Sequence, residues 1–255
     1  MKKIQNYNLI IFYKFYSIYY VFYILKKIQK LNYQSGYEKY LYTGVAGFLM
    51  KRNHTNLSSK VSKNLNNKIL EIGGGASPHF NFVNLKNVNE YWISDNEYLL
   101  KETYTKNDEK LGFKIFNHNA EADSDYSEFF KKNIRFNRII ASHVWEHLPN
   151  PEEIFLKWIN LLDENGRLDI AIPCDPGILF RLGQLIGRKK AMKNYGMSFK
   201  EVELMLSREH INSCQNLLKI VKFYTDSKYS YFPFRVPYVN LNLFIFIRIY
   251  KNDFI

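Results

Sequence analysis

The chain has 255 residues, a net charge of +12 and 46% apolar or aromatic residues, so it is long and apolar enough to bury a sizeable core. Its two cysteines, Cys174 and Cys214, are too few for a disulfide framework or a cysteine-based zinc site, which favours a reducing compartment. Helical and strand patterns alternate from residue 68 onward, and this predicts one elaborated α/β domain.

The positive charge is concentrated near the N-terminus. Residues 1–68 contain 12 Lys or Arg and a single acid, Glu38, whereas the rest of the chain contains 24 basic and 23 acidic residues. A basic arm suggests an anionic partner, either a membrane surface or a phosphate-bearing substrate, and less readily a nucleic acid. A compositional bias towards Lys, Asn and Tyr, with no partner at all, is the alternative.

The segment 8–25 has apolar residues at spacings of three and four, which predicts a helix with one apolar stripe. Lys14, Ser17 and several tyrosines interrupt it, so it is a poor membrane span. Lys26 and Lys27 stand where a secretory signal would need small residues for cleavage. Three interpretations stay open: packing on the protein as a lid, contact with an anionic membrane surface, and a true membrane span.

The most informative stretch is Lys68–Ser77, in which a short apolar strand leads to an acid and three glycines. Glycine can adopt positive φ and allows backbone N–H groups to approach a ligand closely. A dinucleotide-binding loop would have its third glycine at position 78, where this chain has Pro78.

Glu71-x-Gly73-x-Gly75 resembles the first motif of class I S-adenosylmethionine-dependent methyltransferases, with Ser77 in place of the usual third glycine. The resemblance implies that Glu71 and the backbone of Gly73, Gly74 and Gly75 hold the methionine end of S-adenosylmethionine. A non-catalytic nucleotide-fold binding or scaffold module is the alternative, and an oxidoreductase is a third possibility.

The resemblance continues at the ends of the following strands. Asp95 ends the second predicted strand, where an acid accepts hydrogen bonds from ribose hydroxyls. Asn119 and Ala120 stand where relatives contact the adenine, and Ser142 follows the fourth strand as a further candidate for cofactor binding. An apolar strand, a His-containing turn and a helix beginning with Asn-Pro also resemble the family's fourth unit.

The fold implied is a Rossmann-like, seven-stranded, mostly parallel sheet with an antiparallel last strand and helices on both faces. A basic, aromatic helical arm is expected over residues 1–59, the methyltransferase domain over 60–255, and a cap insertion over 178–212. A helix is expected to open at Ser77–Pro78. The later strands are predicted at Gly112–Phe116, Phe136–Ala141, Arg167–Pro173, Ile220–Thr225 and Leu241–Tyr250, with an aromatic loop at Tyr229–Tyr238.

His143–His147 also has the H-x-x-E-H pattern of inverse zinc peptidases. That interpretation needs a helix through all five residues and a third ligand downstream. The strand signal up to Ala141, together with Pro149 and Pro151, argues against the helix. No metal is therefore predicted.

His143 follows a strand at its carboxyl end, where a base could face the methyl group, and His210 follows the cap as a second candidate base. A lining or structural role is the alternative for His143. His54 is expected at the surface with no role, and His147 is expected to be structural.

The sequence therefore predicts an S-adenosylmethionine-dependent methyltransferase that acts on a small, sugar-linked or lipid-linked acceptor, with O-methylation of a glycan precursor as the leading hypothesis. Methylation of nucleic acid is disfavoured, because no Asn/Asp-Pro-Pro-aromatic signature follows the fourth strand. The expected location is the cytoplasm, with peripheral contact at the inner face of the membrane as a further possibility.

Overall fold

The computed structural model describes residues 44–59, 61, 65, 67–74, 78–95, 114–119, 126–195 and 198–254. The described helices are α1 (Gly44–Leu57), α2 (Ser127–Lys131), α3 (Pro151–Leu161), α4 (Ile178–Tyr195), α5 (Phe199–Glu209) and α6 (Cys214–Tyr224). The strands are β1 (Lys68–Ile72), β2 (Glu90–Asp95), β3 (Lys114–Asn119), β4 (Phe136–Ser142), β5 (Leu162–Pro173), β6 (Tyr229–Phe232) and β7 (Phe244–Tyr250).

The strands form one seven-stranded sheet in the order β3-β2-β1-β4-β5-β7-β6. Strands β1 to β5 pair in parallel, and β7 runs antiparallel to both β5 and β6. The predicted Rossmann-like fold with an antiparallel last strand is therefore confirmed.

Hydrophobic cores cover both faces of the sheet. Successive residues of a strand point to opposite faces, so Leu70 joins a core with Trp158 of α3 and Val221 of α6, whereas Ile69 joins a second core with Leu57 of α1. The central strands β1 and β5 are buried over at least four consecutive residues because both of their faces are covered.

Two local predictions after β1 and β3 need correction. The predicted helix is not present over the described residues from Pro78 onward: only a 3-10 helix, His79–Asn81, follows Pro78, and the chain then continues irregularly to β2. The asparagines of this segment (Asn81, Asn84, Asn87 and Asn89) favour turns over helix interiors, and Asn87 has a positive φ of 62°. Strand β3 continues beyond Phe116 to Asn119, because its parallel pairing with β2 extends to Asp95.

The predicted strand Ile220–Thr225 is wrong, because residues 214–224 form helix α6. The side chain of Ser213 caps this helix by accepting a hydrogen bond from Asn216 N, and Cys214, Leu217, Leu218 and Val221 face the core at helical spacing. This packed stripe outweighs the strand preference of the β-branched and aromatic residues near the helix end.

The strands at the antiparallel edge also differ from the prediction. Strand β5 begins at Leu162, five residues before the predicted Arg167, because Leu162 pairs with Phe136 ahead of a register shift. The predicted aromatic loop contains the edge strand β6, which pairs with β7. Strand β7 begins at Phe244 rather than Leu241, since Val239–Leu241 forms a 3-10 helix.

The predicted arm over residues 1–59 lies mostly outside the described residues, except for α1. In α1, Asn53, His54 and Leu57 are buried. The predicted cap region contains helices α4 and α5. Within the described parts of the chain, no helix combines the length and apolar character needed to cross a membrane.

Candidate functional site

The candidate site lies at the carboxyl edge of the parallel strands, where ligands bind in open α/β sheets. The backbone links neighbouring strand ends there: Gly73 N donates to Ser94 O at 2.7 Å, and His143 N donates to Ala171 O at 2.9 Å. The residue after β1 is therefore held against the end of β2, and the residue after β4 is held against β5.

Gly73 and Gly74 are both required by close packing. Gly73 has a φ of +69°, and a Cβ placed on it would lie 2.1 Å from Val144 Cγ2. A Cβ on Gly74 would lie 2.6 Å from Ile93 Cγ2. The glycine loop thus packs against the turn after β4 and against β2. Gly75 lies outside the described residues.

Glu71 is buried beneath this loop. Its carboxylate accepts hydrogen bonds from His79 N at 2.8 and 3.0 Å and from Tyr91 Oη at 2.7 Å. Burial raises the pKa of Glu71 to about 7, although both hydrogen bonds lower it. The carboxylate links the start of the 3-10 helix to β2, and these hydrogen bonds hold both ends of the glycine loop in place.

Asp95 and Asn119 are neighbours at the site edge, because they pair in the register of β2 and β3. Asp95 is partly exposed at the end of β2. Ser94 Oγ lies 3.1 Å from His118 Nδ1, which joins the same two strands just behind the edge. Ala120 lies outside the described residues.

Helix α1 closes one side of the edge. Asn53 Nδ2 donates to Ser142 Oγ at 2.9 Å. Ser142, which was predicted to bind the cofactor, therefore contacts α1, a helix that carries none of the sequence motifs. Arg138 of β4 donates to Leu57 O at 2.9 Å. These contacts hold the last turns of α1 against β4 and its carboxyl end.

His54 is not at the surface as predicted. It is only 3% exposed, its Nδ1 lies 3.0 Å from His79 Nδ1, and its ring stacks on Phe82 with centroids 4.3 Å apart. Burial, helped by the nearby His143, lowers the pKa of His54 to about 3. No periodic signal in α1 marks this residue as buried, because the helix has an irregular polar and apolar pattern.

The turn after β4 contains His143, Glu146 and His147. His143 has a φ of +56° and packs edge-on against Phe244. Residues 145–147 form only a 3-10 helix, so the continuous helix of an inverse zinc peptidase is absent from this turn. His143 Nδ1 and His147 Nε2 each lie 3.7 Å from Glu146 Oε1.

His210 reaches the same turn from the end of α5. Its Nδ1 lies 2.9 Å from Oδ2 of Asp175, which follows β5, and its ring meets that of His147 at a centroid distance of 4.7 Å. The two predicted bases, His143 and His210, both lie close to Glu146. Asp175 was missed by the sequence analysis, since only the fold brings it to His210.

A family model described as a methyltransferase domain matches residues 45–218. The chain belongs to this family, the class I S-adenosylmethionine-dependent methyltransferases. The match includes α1, the glycine loop and every described strand from β1 to β5. The cofactor of this methyltransferase family is S-adenosylmethionine, as the glycine motif predicted. No curated protein sequence matches the chain.

Solved methyltransferase structures share the fold at low identity. The plantazolicin methyltransferase BamL, in complex with a triazolic desmethylPZN analog and SAH, has a TM-score of 0.55 and 13% identity over 89% of this chain and 91% of its own. The CurJ carbon methyltransferase has a TM-score of 0.53 and 15% identity over 83% of this chain. A putative O-methyltransferase from Nostoc punctiforme PCC 73102 has a TM-score of 0.51 and 11% identity over 78% of this chain. This chain spans only 56% of the length of the CurJ protein and 57% of the length of the Nostoc protein.

Proposed function

We propose that the protein transfers a methyl group from S-adenosylmethionine to a hydroxyl oxygen of a sugar-linked or lipid-linked acceptor, with His143 as general base. The observation that carries this proposal is the adjacency of His143 to Val144, whose side chain packs against Gly73. A candidate base thus directly precedes the residue that contacts the glycine loop.

The residues at the carboxyl edge fit the cofactor. Gly73 and Gly74 have no space for a Cβ, and this leaves the loop backbone as the surface that can face the methionine end. The partly exposed Asp95 is suited to accept hydrogen bonds from the ribose, next to Asn119 on the adenine side. S-adenosylmethionine supplies the methyl group on a positively charged sulfur.

His143 has the environment of an oriented base. Its Nδ1 faces the carboxylate of Glu146 at 3.7 Å, and its Nε2 has no hydrogen-bond partner among the described residues. A carboxylate beside Nδ1 favours the tautomer with its proton there and leaves Nε2 to accept the proton of the acceptor hydroxyl. A hydroxyl needs this help, because its oxygen must be aligned with the methyl carbon and lose a proton as the new C–O bond forms.

The acceptor side exposes an apolar surface that suits a lipid-linked substrate. Ile178 and Leu182 of α4 are 61% and 52% exposed and lie one helical turn apart. Ile178 N donates to Asn240 Oδ1, which joins α4 to a segment where Tyr238 is 67% exposed. Arg181 lies beside this surface, 65% exposed, and can contact a phosphate that links lipid to sugar.

A labelling assay tests the proposed reaction. S-adenosylmethionine with a tritiated methyl group is incubated with protein and an organic extract of glycolipids, and label stable to mild base indicates an ether. His143→Gln should lower the labelling rate by about 10²–10⁴-fold, with calorimetric affinity for S-adenosylmethionine unchanged. Gly73→Asp should abolish binding itself.

Other outcomes would contradict specific parts of the proposal. Absence of S-adenosylmethionine binding would contradict the reaction as a whole. A normal rate in His143→Gln would exclude His143 as the base. Label confined to water-soluble sugars would exclude the lipid-linked acceptor.

The basic N-terminal arm supports peripheral contact with an anionic membrane, where a lipid-linked acceptor is presented. Deletion of residues 1–30 should abolish sedimentation with liposomes that contain phosphatidylserine. Unchanged sedimentation would exclude this arm as the anchor, and a truncated protein that still binds S-adenosylmethionine would confirm that its domain is folded.

A further inference from the structure

Glu146, His147 and His210 form a cluster outside the glycine-loop motif. Glu146 and His147 lie in the 3-10 helix after β4, and His210 directly follows α5. One potential ligand atom from each residue lies within 4.8 Å of those from the other two. The three side chains come from segments more than 60 residues apart in the sequence.

Hydrogen bonds hold the two segments together. Asn212 N donates to Glu146 O at 3.0 Å, and Asn212 Nδ2 donates to Leu148 O at 2.7 Å. Because Asn212 is two residues from His210, these bonds restrict how far the His210 ring can move from Glu146. These hydrogen bonds therefore fix the relative positions of the two segments that carry the cluster.

Glu146 provides an independent indication of a cation. The residue is 2% exposed, and neither carboxylate oxygen has a hydrogen-bond partner among the residues that the structure describes. A buried carboxylate without a hydrogen-bond partner is costly unless a positive group compensates it.

Asp175 orients the third residue of the cluster. Its Oδ2 lies 2.9 Å from His210 Nδ1, which favours the ring tautomer with its proton on Nδ1, so Nε2 is the nitrogen that would bind an ion. Metal-bound histidines usually donate their other N–H group to a carboxylate in this way. Zinc sites with two histidines and a glutamate retain an open fourth position.

The distances fit a shared ion after a small rearrangement. Ligands bound to one zinc ion at tetrahedral positions lie roughly 3.3–3.5 Å apart. His147 Nε2 is already 3.7 Å from Glu146 Oε1, and all three ligand atoms lie within 4.8 Å of one another. A modest rotation of the rings is therefore enough to bring them to the distances of a shared ion.

We propose that Glu146, His147 and His210 bind a divalent transition-metal ion of the zinc type, with Asp175 as the carboxylate that positions His210. The ion is bound with an open position at the carboxyl edge of the sheet. If the proposed O-methylation is correct, that position receives the acceptor oxygen, because a bound cation makes a hydroxyl easier to deprotonate.

Cobalt(II) serves as the spectroscopic probe, titrated into the purified full chain without S-adenosylmethionine or acceptor. The wild-type protein should bind one equivalent with the visible absorption of a low-symmetry site, and Zn²⁺ should displace it. Glu146→Gln and His210→Ala should each weaken binding by at least tenfold, and Asp175→Asn by about 10–100-fold.

Glu153→Gln is the matched control, because Glu153 is an exposed carboxylate on the nearby helix α3. It should bind Co²⁺ like the wild type, and circular dichroism should show that every variant is folded. Absence of stoichiometric Co²⁺ binding in the wild type, or equal affinity in Glu146→Gln, His210→Ala and Glu153→Gln, would overturn the proposal.

The titration also separates this proposal from the proposed reaction. His143→Gln should retain Co²⁺ binding while it loses methyl transfer. If the protein binds no metal, the proposed methyl transfer is not contradicted. If it transfers no methyl group, the proposed metal site is not contradicted.

Discussion

Gly73 and Val144 are in direct contact across the candidate site, with Val144 Cγ2 occupying the space that a Cβ on residue 73 would need. The cofactor loop after β1 and the turn after β4 therefore cannot move independently. This contact connects the glycine motif to His143, the residue that precedes Val144.

Gly73→Ala should destabilise the protein by about 2–5 kcal/mol, from the strain of an alanine at positive φ and from overpacking against Val144. Urea denaturation measures the change in the free energy of unfolding. Gly183→Ala is the control: its nearest neighbour would be 3.9 Å away, so a helical alanine there should be neutral or stabilise by about 0.5–1 kcal/mol.

The double variant Gly73→Ala/Val144→Ala should recover the steric part of this loss. The residual strain of the left-handed backbone should remain, at about 1–2 kcal/mol. A double-mutant cycle from the same denaturation measurements gives the coupling free energy. Simple additivity of the two single substitutions would show that the contact with Val144 does not limit residue 73.

Glu71→Gln should change how stability depends on pH. The folded pKa of about 7 lies above the ordinary 4.5, so the folded state favours the protonated carboxyl. Its contribution is fully present below pH 4.5 and falls as the pH rises through 7, by roughly 3 kcal/mol in total. The wild-type advantage over Glu71→Gln should shrink by this amount between pH 4.5 and 8. A constant difference in urea midpoints would contradict it.

His54→Asn should remove a pH dependence of the opposite sign. The folded pKa of about 3 lies below the ordinary 6.5, so the folded state favours neutral His54 and its contribution is lost as the pH falls below 6.5. Between pH 7 and pH 5, the wild type should lose about 2 kcal/mol more than the variant. Asparagine retains a polar partner for His79, and parallel pH profiles for both proteins would refute the assignment.

Asp169→Asn should destabilise the sheet by about 3–5 kcal/mol, because it leaves buried guanidinium groups without their counter-charge. Asp169 Oδ2 lies 2.6 Å from Arg138 Nε and 2.9 Å from an Arg167 terminal nitrogen, and all three side chains are 0% exposed. The exposed pair Lys132–Glu128 gives the control, since Glu128→Gln should leave the denaturation midpoint nearly unchanged. Similar small effects of both substitutions would contradict the prediction.

The sheet was predictable because its central strands are local apolar runs that end at polar residues. Strand β4 and the ends of β2 at Asp95 and β7 at Tyr250 follow directly from such runs. The strand predicted at 220–225 is wrong because apolar residues there fit either a strand or a helix over a short window. The helix is identified only by the longer pattern of buried residues, which recur at helical spacing from Cys214 to Val221.

The sequence by itself determined the glycine loop, its preceding acid and the alternation of strands and helices that marks the family. These features depend on backbone conformation and on short-range periodicity, both of which are local properties of a chain. Tertiary structure alone decided that His54 is buried and that Asp175 meets His210. It also decided that Asn53 reaches Ser142, 89 residues away. Such contacts arise when parallel strands end at one edge, and no local pattern specifies which side chains meet there.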